Sequence, residues 1–252
     1  MPSGTHLSNK ITKTNFLQWA GLRHSIPSQL RHANVPLSTL SPSFTFENNT
    51  FDIRQKRSKD YYSLLVSRKA QHPNITVKLQ RDFDFTIDQI NQIFLLPHSV
   101  ALESYVKAFQ YKVINSIFYT NTKLCKIGYR SNDLCTFCKT ESETSSHFFY
   151  NCSHTRQFWT DFASYWHLLS KQQIHLSLKD VLFGVLSEKC PLLDLLNYFI
   201  IIGKLFLWDC RRSQTPPKIE GFKAKIKIKY EIESKITKKE YFNKKWIIKP
   251  IQ

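Results

Sequence analysis

The chain has 252 residues, of which 42% are hydrophobic and 14% aromatic, so it is too apolar to be disordered as a whole. Its six glycines and ten prolines exclude a fibrous or linker-rich protein. The formal net charge of +17, from 36 Lys and Arg against 19 Asp and Glu, favours a polyanionic partner, with nucleic acid ahead of an acidic membrane surface.

The first elements along the chain are weakly marked. Residues 43–53, SFTFENNTFDI, alternate apolar and polar residues around Asn48-Asn49, which predicts a small β-hairpin. A helix is predicted to follow in 58–69, with Ser58 as its N-cap.

Helices dominate from residue 85 onward. Thr86 and Gln89 form a capping-box pattern for a helix that we expect to stop at Pro97. Ser99 is the predicted N-cap of a longer helix. Its apolar positions recur at helical spacing, which predicts a core-facing stripe of Leu102, Val106, Phe109, Val113 and Ile117.

Three more helices are predicted after residue 152. Aromatic residues at helical spacing occupy 158–169, and we interpret them as core rather than as a base-stacking face. Ser177 begins a short helix, and Pro191 opens a long apolar one. Asp194 and Lys204 interrupt that apolar stretch, so we predict a buried core helix and no membrane span.

The C-terminal segment is basic and ambiguous. Residues 181–252 carry 15 Lys and Arg against 7 Asp and Glu. Apolar and charged residues alternate with period two from Phe222 to Ile232, which favours a strand. Phe222, Ile226 and Tyr230 also suit one face of a helix, and the residues themselves leave the choice open.

One cluster carries a specific chemistry. Cys135, Cys138, His147 and Cys152 have the spacing C-x2-C-x8-H-x4-C. Two thiols on a tight turn can hold one ion, and a second pair can complete a tetrahedron around it, which is the usual arrangement of structural zinc. The sequence therefore predicts a zinc site with Zn2+ as the cofactor.

Three other interpretations of this cluster compete with zinc. A redox Cys-x-x-Cys needs a thioredoxin-like βαβ context, which the polar turn around Cys135 does not supply. A disulfide would leave an odd thiol, and simple buried cysteines would not explain a histidine at a fixed offset. Cys125 and His154 are spare donors that we rank as non-ligands.

The zinc hypothesis makes a geometric demand. His147 and Cys152 are five residues apart, and a straight α-helix would point them about 140° from one another. We therefore expect the helix to distort or end near Asn151, with Ser153 capping the next helix.

Cysteine usage also indicates the compartment. The first 16 residues have no apolar core of signal-peptide length, and the cysteines do not resemble a secreted disulfide framework. We therefore expect a protein of the nucleus or cytoplasm that is not secreted.

The residues around the cluster resemble a known family. Residues 109–159 are similar to the zinc-binding region at the C-terminus of LINE-type non-LTR retrotransposon reverse transcriptases. The matching features are FQYKVIN, YTNTKLCKIG, the C-x2-C turn, the acidic stretch, H-x4-C and the following FW. VLFGVL at 181–186, a long helix ending in Cys-Arg-Arg and a KKW at 244–246 extend the resemblance over about 15–246. The resemblance favours helix for 218–242.

The chain also departs from such polymerases. They hold two catalytic metals with an Asp-Asp pair, and this sequence has no Asp-Asp pair and nothing similar to the endonuclease. The chain resembles the C-terminal part of such an open reading frame, so we expect no enzymatic activity and no small-molecule substrate.

These observations predict a mostly α, irregular helical bundle with a CCHC zinc knuckle, a small N-terminal hairpin and a basic C-terminal helix. We expect three parts: an N-terminal segment (1–80, similar to the region after the polymerase in that family), a helical zinc-binding domain (81–213) and a basic tail (214–252).

The predicted function is binding of RNA or DNA in support of target-primed reverse transcription, with the polymerase part of the parent element as a further partner and no membrane partner. The alternative is a zinc-stabilised protein-interaction module that docks on a polymerase core. The candidate phosphate contacts are the basic residues near the knuckle and in the tail: Lys123, Lys126, Arg130, Lys139, Arg156, Arg211, Arg212, Lys223, Lys225, Lys227 and Lys229.

Overall fold

The computed structural model describes residues 43–46, 49–52, 59–60, 62–63, 74–186 and 191–250. The chain divides into two compact units, residues 1–71 and residues 72–252. In the first unit, strand β1 (Ser43–Phe46) pairs antiparallel with strand β2 (Asn49–Asp52). The predicted hairpin is therefore confirmed, whereas the predicted N-cap Ser58 lies outside the described residues.

The second unit is helical, as predicted. Its described part contains the following elements: α1 (Asn74–Phe83), α2 (Ile87–Val100), α3 (Ser104–Ile114), α4 (Asn121–Lys126), a π-helical turn (His147–Asn151), α5 (Ser153–Ser170), α6 (Leu178–Phe183), α7 (Pro191–Ser213), α8 (Ile219–Ile236) and α9 (Lys239–Lys245).

Helix α7 forms the centre of this unit. It packs against α2, α3, α6, α8 and α9, and its residues 198–202 are almost wholly buried. Helix α5 approaches closely at Gly203, where an added Cβ would lie 2.9 Å from the Trp159 ring. Among the helices that the structure describes, none is long and apolar enough to cross a membrane, and α7 is the buried core helix that the sequence predicted.

The boundary between α2 and α3 differs from the prediction. The capping box of Thr86 and Gln89 is present, but α2 continues through Pro97 to Val100. Proline lacks a backbone N–H, so it removes one hydrogen bond from the helix. The helix nevertheless continues, because the Pro97 ring is buried in the core and the Pro97 carbonyl accepts a hydrogen bond from Ala101 N–H at 3.2 Å. Ser99 therefore lies inside α2, and Glu103 occupies the N-cap position of α3.

This shift shortens the predicted stripe of α3. Val106, Phe109 and Val113 are buried as expected. Leu102 and Ile117 lie beyond the ends of the helix and are 37% and 50% exposed. The prediction was wrong for these two residues because the helix spans fewer turns than the apolar pattern.

The other predicted helix signals agree with the structure. Phe158, Trp159, Phe162, Tyr165 and Trp166 are buried on α5, while Leu169 is half-buried at its end. Ser177 and Asp180 form a capping box at the start of α6, and Pro191 is the first residue of α7.

The C-terminal segment is helical, which settles the choice that its residues left open. Phe222 and Ile226 of α8 are fully buried against the aromatic core. Buried Glu233 accepts hydrogen bonds from the Tyr198 hydroxyl, Lys245 and the Trp246 indole at 3.2, 2.7 and 2.8 Å. Helices α8 and α9 are thus part of the core, because an isolated charged helix would have no buried partners of this kind.

Candidate metal centre

A short antiparallel bridge presents the first two cysteines. Leu134 pairs with Ser142, and the loop between them is closed by a bond from Cys135 N–H to Glu141 O at 2.8 Å. Within the loop, Lys139 N–H bonds to Cys135 O at 2.9 Å, and Lys139 adopts a left-handed backbone with φ of 57°. This tight turn, which we call the knuckle (residues 134–142), points the Cys135 and Cys138 thiols to one side.

The π-helical turn presents the second pair. It runs from His147 to Asn151 and ends with Cys152 N–H bonded to His147 O at 2.9 Å, an i→i+5 bond. The wider turn brings side chains five residues apart to the same side. The expected distortion near Asn151 is therefore present, but Ser153 is the first residue of α5 and Cys152 stands at its N-cap position.

The four predicted ligands lie together. Their ligand atoms are all within 4.8 Å of one another, with Cys135 and Cys152 Sγ 3.8 Å apart and Cys138 Sγ 3.3 Å from His147 Nε2. Zinc–sulfur bonds of about 2.3 Å in a tetrahedron place two sulfurs about 3.8 Å apart. The donor set and its dimensions therefore fit one zinc ion, and the sulfur separation is too long for the disulfide alternative, whose bond is about 2.05 Å.

The histidine has defined roles for its two ring nitrogens. Nε2 faces the Cys138 thiol, so it is the nitrogen aimed at the metal position. Nδ1 lies 3.3 Å from Oε2 of Glu141, which is 71% exposed. A carboxylate on the second ring nitrogen fixes the tautomer and orientation of a ligating imidazole.

Electrostatics lower the pKa of two thiols of the cluster, Cys138 and Cys152. A hydrogen bond from Cys135 lowers the pKa of Cys152 to about 5, and the same contact raises the pKa of Cys135. Burial opposes protonation of His147, but its contacts with the Cys138 and Cys152 thiolates raise its pKa overall. A metal ion would displace these shared protons, because the thiolate and the neutral imidazole are the forms that coordinate.

A buried ion pair joins the knuckle to the end of α7. Glu143 is fully buried, and its carboxylate accepts from Asn121 N–H at 3.0 Å, from Thr136 N–H at 2.9 Å and from the Arg211 guanidinium at 2.7–2.8 Å. Arg211 also donates to Asn121 Oδ1 at 2.7 Å and lies 4.6 Å over the Trp208 ring. This cluster of Asn121, Glu143 and Arg211, the internal clamp, holds the knuckle against the core.

The internal clamp changes the interpretation of Arg211. The sequence proposed it as a phosphate contact, but it is 8% exposed and its charge faces Glu143. Because this guanidinium is held against Glu143, it cannot contact a phosphate without weakening the ion pair, so Arg211 is no longer a candidate phosphate contact.

The tail lysines are also largely engaged within the fold. Lys225 pairs with Asp209 at 2.5 Å, Lys229 pairs with Glu103 at 2.7 Å and contacts Tyr105, and half-buried Lys223 lies over Tyr165. Lys227 is exposed. Ion pairing lowers the net charge that these residues offer to a polyanion, so the tail is a weaker candidate surface than its composition indicates.

The candidates near the knuckle are more accessible. Lys126, Arg130, Lys139, Arg156 and Arg212 are exposed, and Lys123 is half-buried. Arg130, Lys139 and Arg212 line a cleft of about 480 Å³ between the knuckle and the end of α7, with Asn121, Asn132, Gln214 and Arg211 among its other walls. Among the described residues, no Asp or Glu lines this cleft, which we call the basic cleft.

Substitution of Glu141 tests whether its contact with Nδ1 orients the His147 ring. Glu141→Gln is expected to weaken metal binding by about 10-fold, at the lower end of the usual range for such partners because the carboxylate is exposed. The dissociation constant would be measured by competition with a chromophoric chelator. Glu240→Gln, an exposed carboxylate on α9, is the matched control and should leave the metal affinity unchanged. Equal affinities for both variants would show that Glu141 does not orient His147.

Sequence reasoning missed three residues of the site. Glu141 and Glu143 belong to the stretch KTESE, which the sequence marks only as acidic. The local sequence does not show that Glu143 is the buried carboxylate, because its burial requires an ion pair with Arg211, which is 68 residues away in sequence. Asn121 carries no local signal either.

A match to a known protein family covers the metal centre. A family model described as zinc-binding in reverse transcriptase matches residues 87–159, which run from the start of α2 into α5 and include all four candidate ligands. No curated protein and no solved structure matches the chain. Together with the geometry of the three cysteines and one histidine, this match identifies residues 87–159 as a zinc-binding domain of the kind found in reverse transcriptases.

Proposed function

We propose that this chain is a nucleic-acid-binding module built around a structural zinc ion, and that it supports target-primed reverse transcription by a LINE-type element. The observation that carries the proposal is the basic cleft. It lies beside the metal centre, three exposed cations line it, and its described walls contain no carboxylate.

The charged groups of the cleft are available to a ligand. Within the described residues, no hydrogen bond, ion pair or ring contact engages the side chains of Arg130, Lys139 and Arg212, in contrast to the engaged tail lysines Lys225 and Lys229. Exposed cations without internal partners can neutralise phosphates without first breaking a contact of the folded protein.

One segment of the chain that leads into the cleft carries no negative charge. Residues 104–132 contain no Asp or Glu, and they carry five cations: Lys107, Lys112, Lys123, Lys126 and Arg130. This segment includes α3 and α4 and leads into the knuckle. A surface of one sign attracts a polyanion over the distance of a Debye length, so it would raise the rate of association as well as the affinity.

The metal would have a structural role. Four protein ligands close the coordination shell, and two of them, Cys135 and Cys152, are almost wholly buried. A catalytic zinc keeps one position open for water or substrate. Zinc would therefore fix the knuckle, which contains Lys139 and follows Arg130 in the chain. We propose no catalytic role for the metal.

The test uses charge removal in the cleft. The triple variant Arg130→Gln, Lys139→Gln, Arg212→Gln is expected to bind nucleic acid more weakly and to flatten the dependence of log affinity on log salt. Three lost phosphate contacts change that slope by about 2.7 for duplex and about 2 for single strands. Binding would be measured by fluorescence anisotropy at several salt concentrations.

A second triple variant controls for net charge. Lys235→Gln, Lys238→Gln, Lys239→Gln removes the same charge from exposed positions around the turn between α8 and α9. It should alter the slope far less than the cleft variant. Equal effects would mean that the cleft is not the site, and no salt-dependent binding by the unaltered protein would favour the protein-interaction module instead. Truncation after Ser213 is unsuitable, because it would remove buried Phe222 and Ile226 from the core.

A further inference from the structure

Large apolar side chains are exposed just before and just after α4 in the chain. Ile117 and Tyr119 precede α4 and are 50% and 62% exposed, while Ile127 and Tyr129 follow it and are 66% and 77% exposed. Tyr129 is the most exposed large hydrophobic residue in the described part of the chain, and the next residue, Arg130, lines the cleft. Single exposed apolar residues are ordinary, but four of them flank one short helix in the chain, and Tyr129 adjoins a residue of the basic cleft.

The backbone that carries Tyr129 is well anchored. Gly128 ends the turn after α4 with φ of 75°, and its N–H bonds to Cys125 O at 3.0 Å. The N–H groups of Tyr129 and Arg130 both bond to Leu124 O, at 2.8 and 3.3 Å. An added Cβ at Gly128 would meet nothing within 4 Å, so the left-handed backbone, rather than space, requires glycine here. The fold thus fixes the backbone of Tyr129 and leaves its ring in solvent.

The charged residues next to Tyr129 in the chain, from Lys123 to Arg130, are all basic. Lys126 is exposed on the last turn of α4, and Lys123 is half-buried one turn earlier. Burial lowers the pKa of Lys123, and the nearby charge of Lys78 on α1 lowers it further. An aromatic ring among closely spaced cations matches the pattern of single-strand binding sites, in which bases stack on rings while phosphates meet cations.

We propose that Tyr129 is a stacking platform for an unpaired nucleobase, so that the basic cleft prefers single-stranded RNA or DNA over duplex. This inference rests on the proposed nucleic-acid function and adds the class of ligand. A flat ring that is 77% exposed can cover the face of a base only where that face is not already stacked in a duplex.

The test compares two ligands and three substitutions. A single-stranded oligonucleotide of about 15 nucleotides, within the usual range of site sizes, and the duplex of the same sequence are titrated by fluorescence anisotropy. Tyr129→Ala is expected to weaken single-strand binding between about 5-fold and 100-fold and to leave duplex binding within about 2-fold. Tyr129→Phe should keep the single-strand affinity, since it keeps the ring. The salt slope should be the same for Tyr129→Ala and the unaltered protein, because no phosphate contact is lost.

Tyr241→Ala is the control. Tyr241 on α9 is 38% exposed and lies near the carboxylates of Glu233, Glu103 and Asp194, where a polyanion is not expected. Its substitution should leave both affinities unchanged. The stacking role would be overturned if Tyr129→Ala lost the same affinity for single strand and duplex, or lost none for either. Salt-dependent binding would still support the proposed function in that case. Absence of salt-dependent binding in the unaltered protein would overturn the proposed function itself.

Discussion

Substitution of Cys152 by serine is expected to abolish stoichiometric zinc binding and to unfold the region around the knuckle. Cys152 is completely buried, and it joins the π-helical turn to the start of α5. A structural zinc ion contributes about 10–16 kcal/mol of apparent binding free energy in small zinc domains, and this binding stabilises the folded state directly. Without the metal, the knuckle keeps the internal clamp, the stacking of Phe137 on Phe148 and a few backbone hydrogen bonds.

Metal content and unfolding would be measured together. Zinc per chain is determined by elemental analysis of protein purified without chelator, and the unfolding midpoint is followed with and without added chelator. Cys152→Ser should contain no zinc and should be insensitive to chelator, whereas the unaltered protein should contain one zinc per chain and lose stability on chelation.

Two variants control this result. Cys125→Ser replaces a half-buried thiol outside the ligand cluster and should keep the zinc. His147→Cys should also keep it, because a shell of four cysteines is another common structural zinc site. Absence of zinc from the unaltered protein, or full zinc content in Cys152→Ser, would refute the assignment of the site.

The clustering of the three cysteines and His147 could be predicted from the sequence, because a zinc site imposes a local spacing. The turn between Cys135 and Cys138 and the five-residue step from His147 to Cys152 are short-range constraints. The same geometry required a distortion near Asn151, and the structure supplies it as a π-helical turn. The first residue of α5 was not predictable, because Cys152 occupies the N-cap position without a side-chain cap.

Helix ends near proline were less predictable. Pro97 disfavours a helix locally, but its ring is buried in the core and α2 continues for three more residues. Tertiary packing outweighed the local preference there, and the shift moved Ser99 and Leu102 out of their expected roles.

Charge counting was the least reliable guide to the surface. A run of basic residues in sequence does not reveal which cations have partners far along the chain. Lys229 pairs with Glu103, which is 126 residues away, and Arg211 pairs with Glu143, which is 68 residues away. Such pairs depend on how the helices pack. The unpaired cations of the cleft could therefore be distinguished from the paired cations of the tail only once the packing was known.

Substitution of Arg211 by methionine is expected to destabilise the protein by about 3–5 kcal/mol, since it leaves the fully buried Glu143 charge without its cation. The Asn121 and Thr136 N–H groups would still bond to Glu143, but neutral donors compensate the charge only in part. Denaturant unfolding measures the loss. Zinc retention should fall with it, because the internal clamp holds the knuckle.

Two neighbouring cations provide matched controls. Lys225→Met breaks a pair with Asp209 that is partly exposed on both sides, so it should cost less than about 1 kcal/mol. Arg212→Met, at the adjacent position, should leave stability unchanged and weaken nucleic-acid binding, since Arg212 lines the basic cleft.

A double variant isolates the ion pair from the loss of packing. Glu143→Gln removes the charge and keeps one acceptor oxygen, which can serve either the Asn121 or the Thr136 N–H group, because these two groups bond to different oxygens of the Glu143 carboxylate. Glu143→Gln combined with Arg211→Met should therefore be more stable than Arg211→Met alone, because no buried charge remains unpaired. If Arg211→Met costs no more than Lys225→Met, the guanidinium does not stabilise the fold, and Arg211 returns to the set of candidate phosphate contacts. If instead Arg211→Met loses stability while Arg212→Met loses only binding, two adjacent arginines have separate roles, one inside the fold and one at the proposed interface.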